Sequence, residues 1–243
     1  MNTTQQAART HRRESHGFTI VEIMVAMAIS LILLLGVINI FMASKTSYTL
    51  QSGAARLQEN ARFALDFISR SVGMAGLNMA PSPAFTVANT LDGGGNASDS
   101  IQVNYKFATD CLGNPTGASG VASDLYDIRV EAATGVSNLY CNNQPLVEGI
   151  ENMQILYGQD SDADGVADSY VSAANVTDWG SANGGIASIR IALLVSTVDD
   201  AGATDNTPTF RLLNAPALGP FNDNMLRRVF TRTILVRNYT FTP

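Results

Sequence analysis

One run of apolar residues, FTIVEIMVAMAISLILLLGVINIFMA from Phe18 to Ala43, governs what this chain can become. As a helix its 26 residues would extend ~39 Å, more than the ~30 Å hydrocarbon core of a bilayer. A secretory signal peptide would carry only about 7–15 apolar residues and then a small-residue cleavage site. This run is too long for that, and no Ala-x-Ala signal follows it. A membrane anchor fits better. The polar segment 1–17 places Arg9, Arg12 and Arg13 against the single acid Glu14, a bias that holds the N-terminus in the cytoplasm and exports the remainder. Glu22 is the only charged residue in the run, about one turn inside it. A carboxylate in a bilayer costs on the order of 3 kcal/mol, so such a group needs a partner and is a functional candidate.

Composition narrows the remaining possibilities. Of 243 residues only 15% are charged, and 15 Lys+Arg against 21 Asp+Glu give a net charge of −6. Nucleic-acid binding through clustered positive charge is not indicated. The two histidines, His11 and His16, both precede the apolar run. Without that leader the chain would hold no histidine, which excludes Ser-His and Cys-His pairs and His-ligated metals. Cys111 and Cys141 are the only cysteines. In an exported, oxidising setting they are expected to form one disulfide, closing a loop of about 31 residues and contributing roughly 3–4 kcal/mol.

Beyond Ser44 the pattern becomes amphipathic without a break. Leu50, Ala54, Leu57, Ala61, Ala64, Ile68 and Val72 recur at helical spacing, with Phe63, Leu65 and Phe67 widening the stripe. No proline occurs before Pro81, so one helix from Phe18 to about Leu77 is predicted, loosened near Gly73 and Gly76. The organisation expected is a leader over 1–17, an apolar half-helix over 18–44, an amphipathic half over 45–78 and a β-rich head over 79–243. Segment 81–98 reads as a loop, with Gly93-Gly94-Gly95 as a flexible turn. Strands are predicted at Ile101–Phe107, Leu125–Glu131, Leu146–Tyr157, Ile186–Val198 and Leu226–Phe241. A long helix packed on a mostly antiparallel sheet gives an α+β fold. Arg227-Arg228 reads as a solvated edge, and Trp179 as a buried or half-buried loop aromatic, with a loop cap or a partner contact as the alternative.

The sequence Asp160-Ser-Asp162-Ala-Asp164-Gly165-Val166-Ala-Asp168 suggests a cation. Calcium takes several oxygens, and alternate carboxylates with glycine at the sixth place can bend round it. Asp160, Asp162 and Asp164 would be ligands one, three and five, the Val166 carbonyl the seventh and Asp168 the ninth. The bidentate glutamate of an EF-hand is absent, since the twelfth place is Val171. A solvated Asp/Gly turn would select the same residue types. Glycoside hydrolysis is disfavoured, because its two carboxylates stand on separate elements across a cleft. No catalytic residue is indicated.

Gly17-Phe18-Thr19-Ile20-Val21-Glu22, with the basic leader before it and the apolar run after it, resembles the processing motif of type IV prepilins. The segments LVEGIENMQILYG (146–158) and RRVFTRTILVRN (227–238) resemble PilW-type minor pilins. Related segments occur in the large pseudopilins of type II secretion. The resemblance implies a type IV pilin-like fold, cleavage after Gly17 by a prepilin peptidase and methylation of the new Phe18 amine. Glu22 would pair with that amine, gaining up to roughly 4 kcal/mol at ~4 Å and an effective dielectric near 20. The i, i+4 spacing allows the pair within one helix or between neighbouring subunits. It further implies a non-catalytic minor pilin that joins other minor pilins and the major pilin in a priming complex, which starts polymerisation by the inner-membrane assembly platform and can present a large tip adhesin. Such a pilin would support twitching motility, adhesion or DNA uptake. Its place would be the inner membrane, with a periplasmic head, and then the cell-surface pilus. A type II secretion pseudopilin is the nearest alternative, and a membrane-tethered carbohydrate-binding domain a more distant one.

Overall fold

The computed structural model describes residues 17–79, 84–180, 185–202 and 207–238. Arg9, Arg12 and Arg13 and the last residues of the predicted C-terminal strand lie outside them. Two compact units divide at Lys45/Thr46. Helix α1 spans Ile20–Met74. In the first unit its apolar side chains are exposed on every side, from Ile20 and Val21 to Phe41 and Met42. A helix apolar all round suits lipid or a bundle of like helices. It is the one described helix long and apolar enough to cross a membrane.

In the second unit α1 buries Leu57, Ala61, Ala64, Leu65, Ile68, Ser71 and Val72. Phe63 departs from the expected stripe and is exposed. At about 100° per residue it stands roughly 200° from Ala61, on the back of the helix. The helix stops at Met74, short of Leu77. Gly76 takes φ +75° and its amide turns away to the Asn104 carbonyl. A left-handed glycine of this kind ends many helices. The Asn238 amide then donates to the carbonyls of Gly73 and Ala75.

Among the described residues eight strands follow in two four-stranded antiparallel sheets. The first has the order β1 (Ile101–Lys106), β2 (Val121–Val130), β3 (Ser137–Cys141), β4 (Gln144–Glu148). The second runs β6 (Ser169–Val171), β5 (Ile150–Asp160), β7 (Gly185–Ser196), β8 (Arg227–Leu235). One apolar cluster joins the buried stripe of α1 to Tyr105, Tyr126, Leu139, Met153, Tyr157, Ile191 and Ile234 from both sheets. The single strand expected over Leu146–Tyr157 is instead two strands in different sheets. Gly149 parts them at φ +76°, where an added Cβ would lie 2.6 Å from the Ser196 carbonyl oxygen.

Strand β7 is buried on both faces, as its apolar run IALLV requires. Its second face lies under the loop that follows it, where Ala192 and Leu194 meet Leu212, with Phe210, Leu218 and Phe221 around them. Trp179 is half-buried, 4.9 Å from Tyr157 and 6.1 Å from Phe85 between ring centroids. The expected glycine turn forms over Gly94–Ala97, closed by the Ala97 amide donating to the Gly94 carbonyl, and the Gly93 amide before it donates to Asp99.

Candidate functional site

The start of α1 is closed by its own side chains. The Thr19 hydroxyl accepts the Glu22 amide at 3.2 Å, while the Glu22 carboxylate accepts the Thr19 amide at 2.8 Å and the Thr19 hydroxyl at 2.9 Å. This reciprocal pairing satisfies helix-end donors that have no partner within the helix. Glu22 is therefore held at the first turn with its carboxylate directed back toward the N-terminal end, next to Phe18, which is exposed. Gly17 has open space around it, and an added Cβ would meet nothing within 4 Å. The glycine, phenylalanine and glutamate singled out in sequence thus stand at one accessible helix start, together with Thr19, whose capping role sequence reasoning missed.

The Asp-rich loop connects β5 to β6. Asp160 is buried and accepts the amides of Ala163 and Gly165 at 2.7 Å each. Gly165 takes φ +88° at the tightest point of the bend. Oxygens of Asp160, Asp162 and Asp168 lie within 4.8 Å of one another. Asp164 stands outside that triad and accepts the Val166 amide, and the Val166 side chain is exposed. The Asp164 amide donates to Asp162 and favours its charged form, yet the carboxylates of Asp164, Asp168 and Asp160 outweigh it and raise the Asp162 carboxyl. Asp168 is held below the ordinary aspartate value by the Ser161 hydroxyl and amide. An all-oxygen, mutually repelling donor set of this kind suits a hard divalent cation such as Ca2+. Asp160, Asp162 and Asp168 would hold it, and its charge would relieve their repulsion.

The profile of the type IV pilus-assembly protein W family matches residues 115–238, half of the chain. The chain belongs to this family. The prokaryotic N-terminal methylation motif also matches, over residues 12–38, and includes Gly17, Phe18 and Glu22. Among solved structures, a type IV-like pilin from Thermus thermophilus aligns with 76% of this chain and 97% of its own. The identity is 13% and the TM-score 0.45. No curated protein matches.

In the head of this type IV pilin, Cys111 and Cys141 are joined by a disulfide. Their sulfurs cluster with Asp124, but a disulfide offers no thiolate, so the group is no zinc site. Asp124 is fully buried on β2 and anchors a network that sequence reasoning missed. Its carboxylate accepts the Ser71 hydroxyl from α1 at 2.7 Å, the Tyr105 hydroxyl at 2.6 Å and the Cys111 amide at 2.9 Å. Ser71 also pairs with the Tyr126 hydroxyl at 2.8 Å. Burial first, then the Asp124 charge, pushes the Tyr105 and Tyr126 hydroxyls well above the usual phenol range. The available sequence signal was an aspartate inside an alternating strand whose neighbours point inward.

Arg227 overturns the expectation of a solvated edge. Its side chain is 6% exposed and bonds Glu151 through Nε at 2.7 Å and Asp223 through Nη1 at 2.6 Å. Its guanidinium also lies 3.8 Å from the centroid of the Phe221 ring. Two acids and a ring satisfy the planar fork, which permits its burial. Arg228 alone of the pair is exposed.

Proposed function

We propose that this type IV pilin is a minor pilin, cleaved between Gly17 and Phe18 by a prepilin peptidase and methylated on the new Phe18 amine. It then joins other minor pilins and the major pilin in a complex that primes pilus assembly on the inner-membrane platform, at the tip, where it helps to present a large adhesin. Helix α1 holds it in the inner membrane with the head in the periplasm before it enters the pilus. The protein is structural and has no catalytic residue. The observation that carries this reading is the carboxylate of Glu22, held directly after Gly17 and Phe18 at the start of the apolar half of α1, which is otherwise uncharged up to Lys45 and exposed. In the precursor Thr19 satisfies it. After cleavage the Phe18 amine of the same or an adjoining subunit supplies a cation, and pairing the two sets the axial register.

Glu22→Leu is expected to leave cleavage intact and to exclude the subunit from pili. Normal incorporation of that variant would overturn the role given to Glu22. Deletion of the protein should remove surface pili and twitching motility. Loss of exoprotein secretion with pili intact would instead assign it to a type II secretion system.

The loop between β5 and β6 is proposed to bind Ca2+ through Asp160, Asp162 and Asp168, with Asp164 and the Val166 carbonyl as further ligands. Asp162→Ala with Asp164→Ala should lower the melting temperature in calcium buffer and leave it unchanged in chelator. An equal shift in both buffers would remove the metal from the account.

A further inference from the structure

Strand β8 is the last strand of its sheet, and no described strand pairs with its outer side. Its register against β7 tells which backbone groups face outward. The Val236 amide donates to the Ala187 carbonyl and the Thr197 amide to the Leu226 carbonyl. Hydrogen-bonded and non-hydrogen-bonded pairs alternate in an antiparallel ladder. Ile234, Arg232, Phe230 and Arg228 therefore bond inward, while Val229, Thr231, Thr233 and Leu235 direct their N–H and C=O groups away from β7. Thr231, Thr233 and Leu235 are exposed, Leu235 at 67%. A long exposed edge of this kind is a template for another strand.

Beside that edge runs a groove of about 650 Å³ between β8 and the flank of α1, bordered by Asp66, Arg70, Leu235 and Arg237. It holds three arginines, Arg70, Arg232 and Arg237, against one acid. Asp66 is committed to Arg232 at 2.6 Å. Arg70 and Arg237 are exposed and make no ion pair among the described residues. The groove is thus locally cationic in a chain whose net charge is −6.

We propose that the open edge of β8 and this groove form a docking site for an extended acidic segment of a neighbouring pilus subunit, which adds to the sheet as a further strand. Backbone bonds to Thr231, Thr233 and Leu235 would give affinity, and acidic side chains meeting Arg70 and Arg237 would give selectivity. A nine-residue edge offers roughly 30 Å of track, enough for a short strand. The identity of the neighbour rests on the reading of the chain as a pilus subunit.

A photo-crosslinking residue at Thr233 of the full chain, expressed in piliated cells, tests this, with the crosslinked peptide identified by mass spectrometry. The expected product is an acidic, extended segment of another pilus subunit. Thr231→Pro removes an outward N–H without breaking the ladder, since proline is tolerated at an edge in that position. It should cut the yield about fivefold with the melting temperature of the head kept, and Arg70→Glu with Arg237→Glu should do the same. A crosslink to this chain itself, to a second copy, to lipid or to nucleic acid would overturn the proposal. So would no crosslink, or yields indifferent to those variants. If pili still form with mature Phe18 while Thr233 captures nothing, the docking site alone fails and the pilin reading stands.

Discussion

Replacing Asp124 tests whether a buried charge ties α1 to the first sheet. Asp124→Ala removes the acceptor for the Ser71 hydroxyl, the Tyr105 hydroxyl and the Cys111 amide. Ser71 and Tyr126 can still share one hydrogen bond, which leaves one hydroxyl hydrogen of that pair, the Tyr105 hydroxyl and the Cys111 amide without an acceptor, about three donors. Each unsatisfied buried donor costs about 1–3 kcal/mol, which over three donors places the loss at roughly 3–9 kcal/mol. Asp124→Asn differs in kind. Its remaining oxygen can still accept the Cys111 amide, and the two hydroxyls can rotate to accept from its new NH2, so about 1–2 kcal/mol is expected. For a head of this size 1 kcal/mol moves the midpoint by about 2–4 °C. Thermal unfolding of the oxidised protein, followed by near-ultraviolet circular dichroism, should show a fall of about 10 °C or more for alanine and about 4 °C for asparagine. A cycle with Ser71→Ala should reveal coupling of about 0.5–3 kcal/mol. If the alanine variant melts within about 2 °C of the parent, or no lower than the asparagine one, the network does not hold the helix to the sheet.

Two further outcomes concern the head. Gly149→Ala forces a side chain into φ +76° and to 2.6 Å from the Ser196 carbonyl. It should cost about 3 kcal/mol, read as a lowered midpoint in denaturant, and a neutral result would deny that this glycine parts β4 from β5. Asp99 is buried, and burial outweighs the Gly93 and Ile155 amides that favour its charge, raising its carboxyl to about 6. A raised carboxyl adds stability that is full below about pH 4 and lost as pH rises through about 6, at most about 3 kcal/mol. Unfolding measured from pH 4 to 7 should show that slope in the parent and a flatter profile in Asp99→Asn; identical slopes would refute it.

Much of the architecture was legible because it follows from gross apolarity. The helix start, the apolar half of α1, and β7 with its unbroken run are each set by residues whose burial or lipid exposure has no alternative. The errors came where tertiary partners decide. Phe63 fell on the back of the helix because a helical stripe widens through Leu65, not through a residue on the opposite side. Strand β2 begins at Val121 with VASD, and β3 is SNLYC, both too short of β-branched residues to stand out. Gly149 inside an apolar stretch was the available sign of a break. In sequence Arg227 reads as a solvated edge and Asp124 does not stand out, since a buried charge is distinguished only by partners that lie far off in sequence, such as Glu151 for one and Ser71 for the other. The paired cysteines were legible from their number together with the exported setting, and the structure joins them.

Mass spectrometry of the N-terminal peptide of the protein recovered from cells bears most directly on the pilin reading. A mature chain that begins with N-methylated Phe18, and loses that form when the prepilin peptidase is absent, is the expected result. An intact Met1, or cleavage near Ser44, would contradict it.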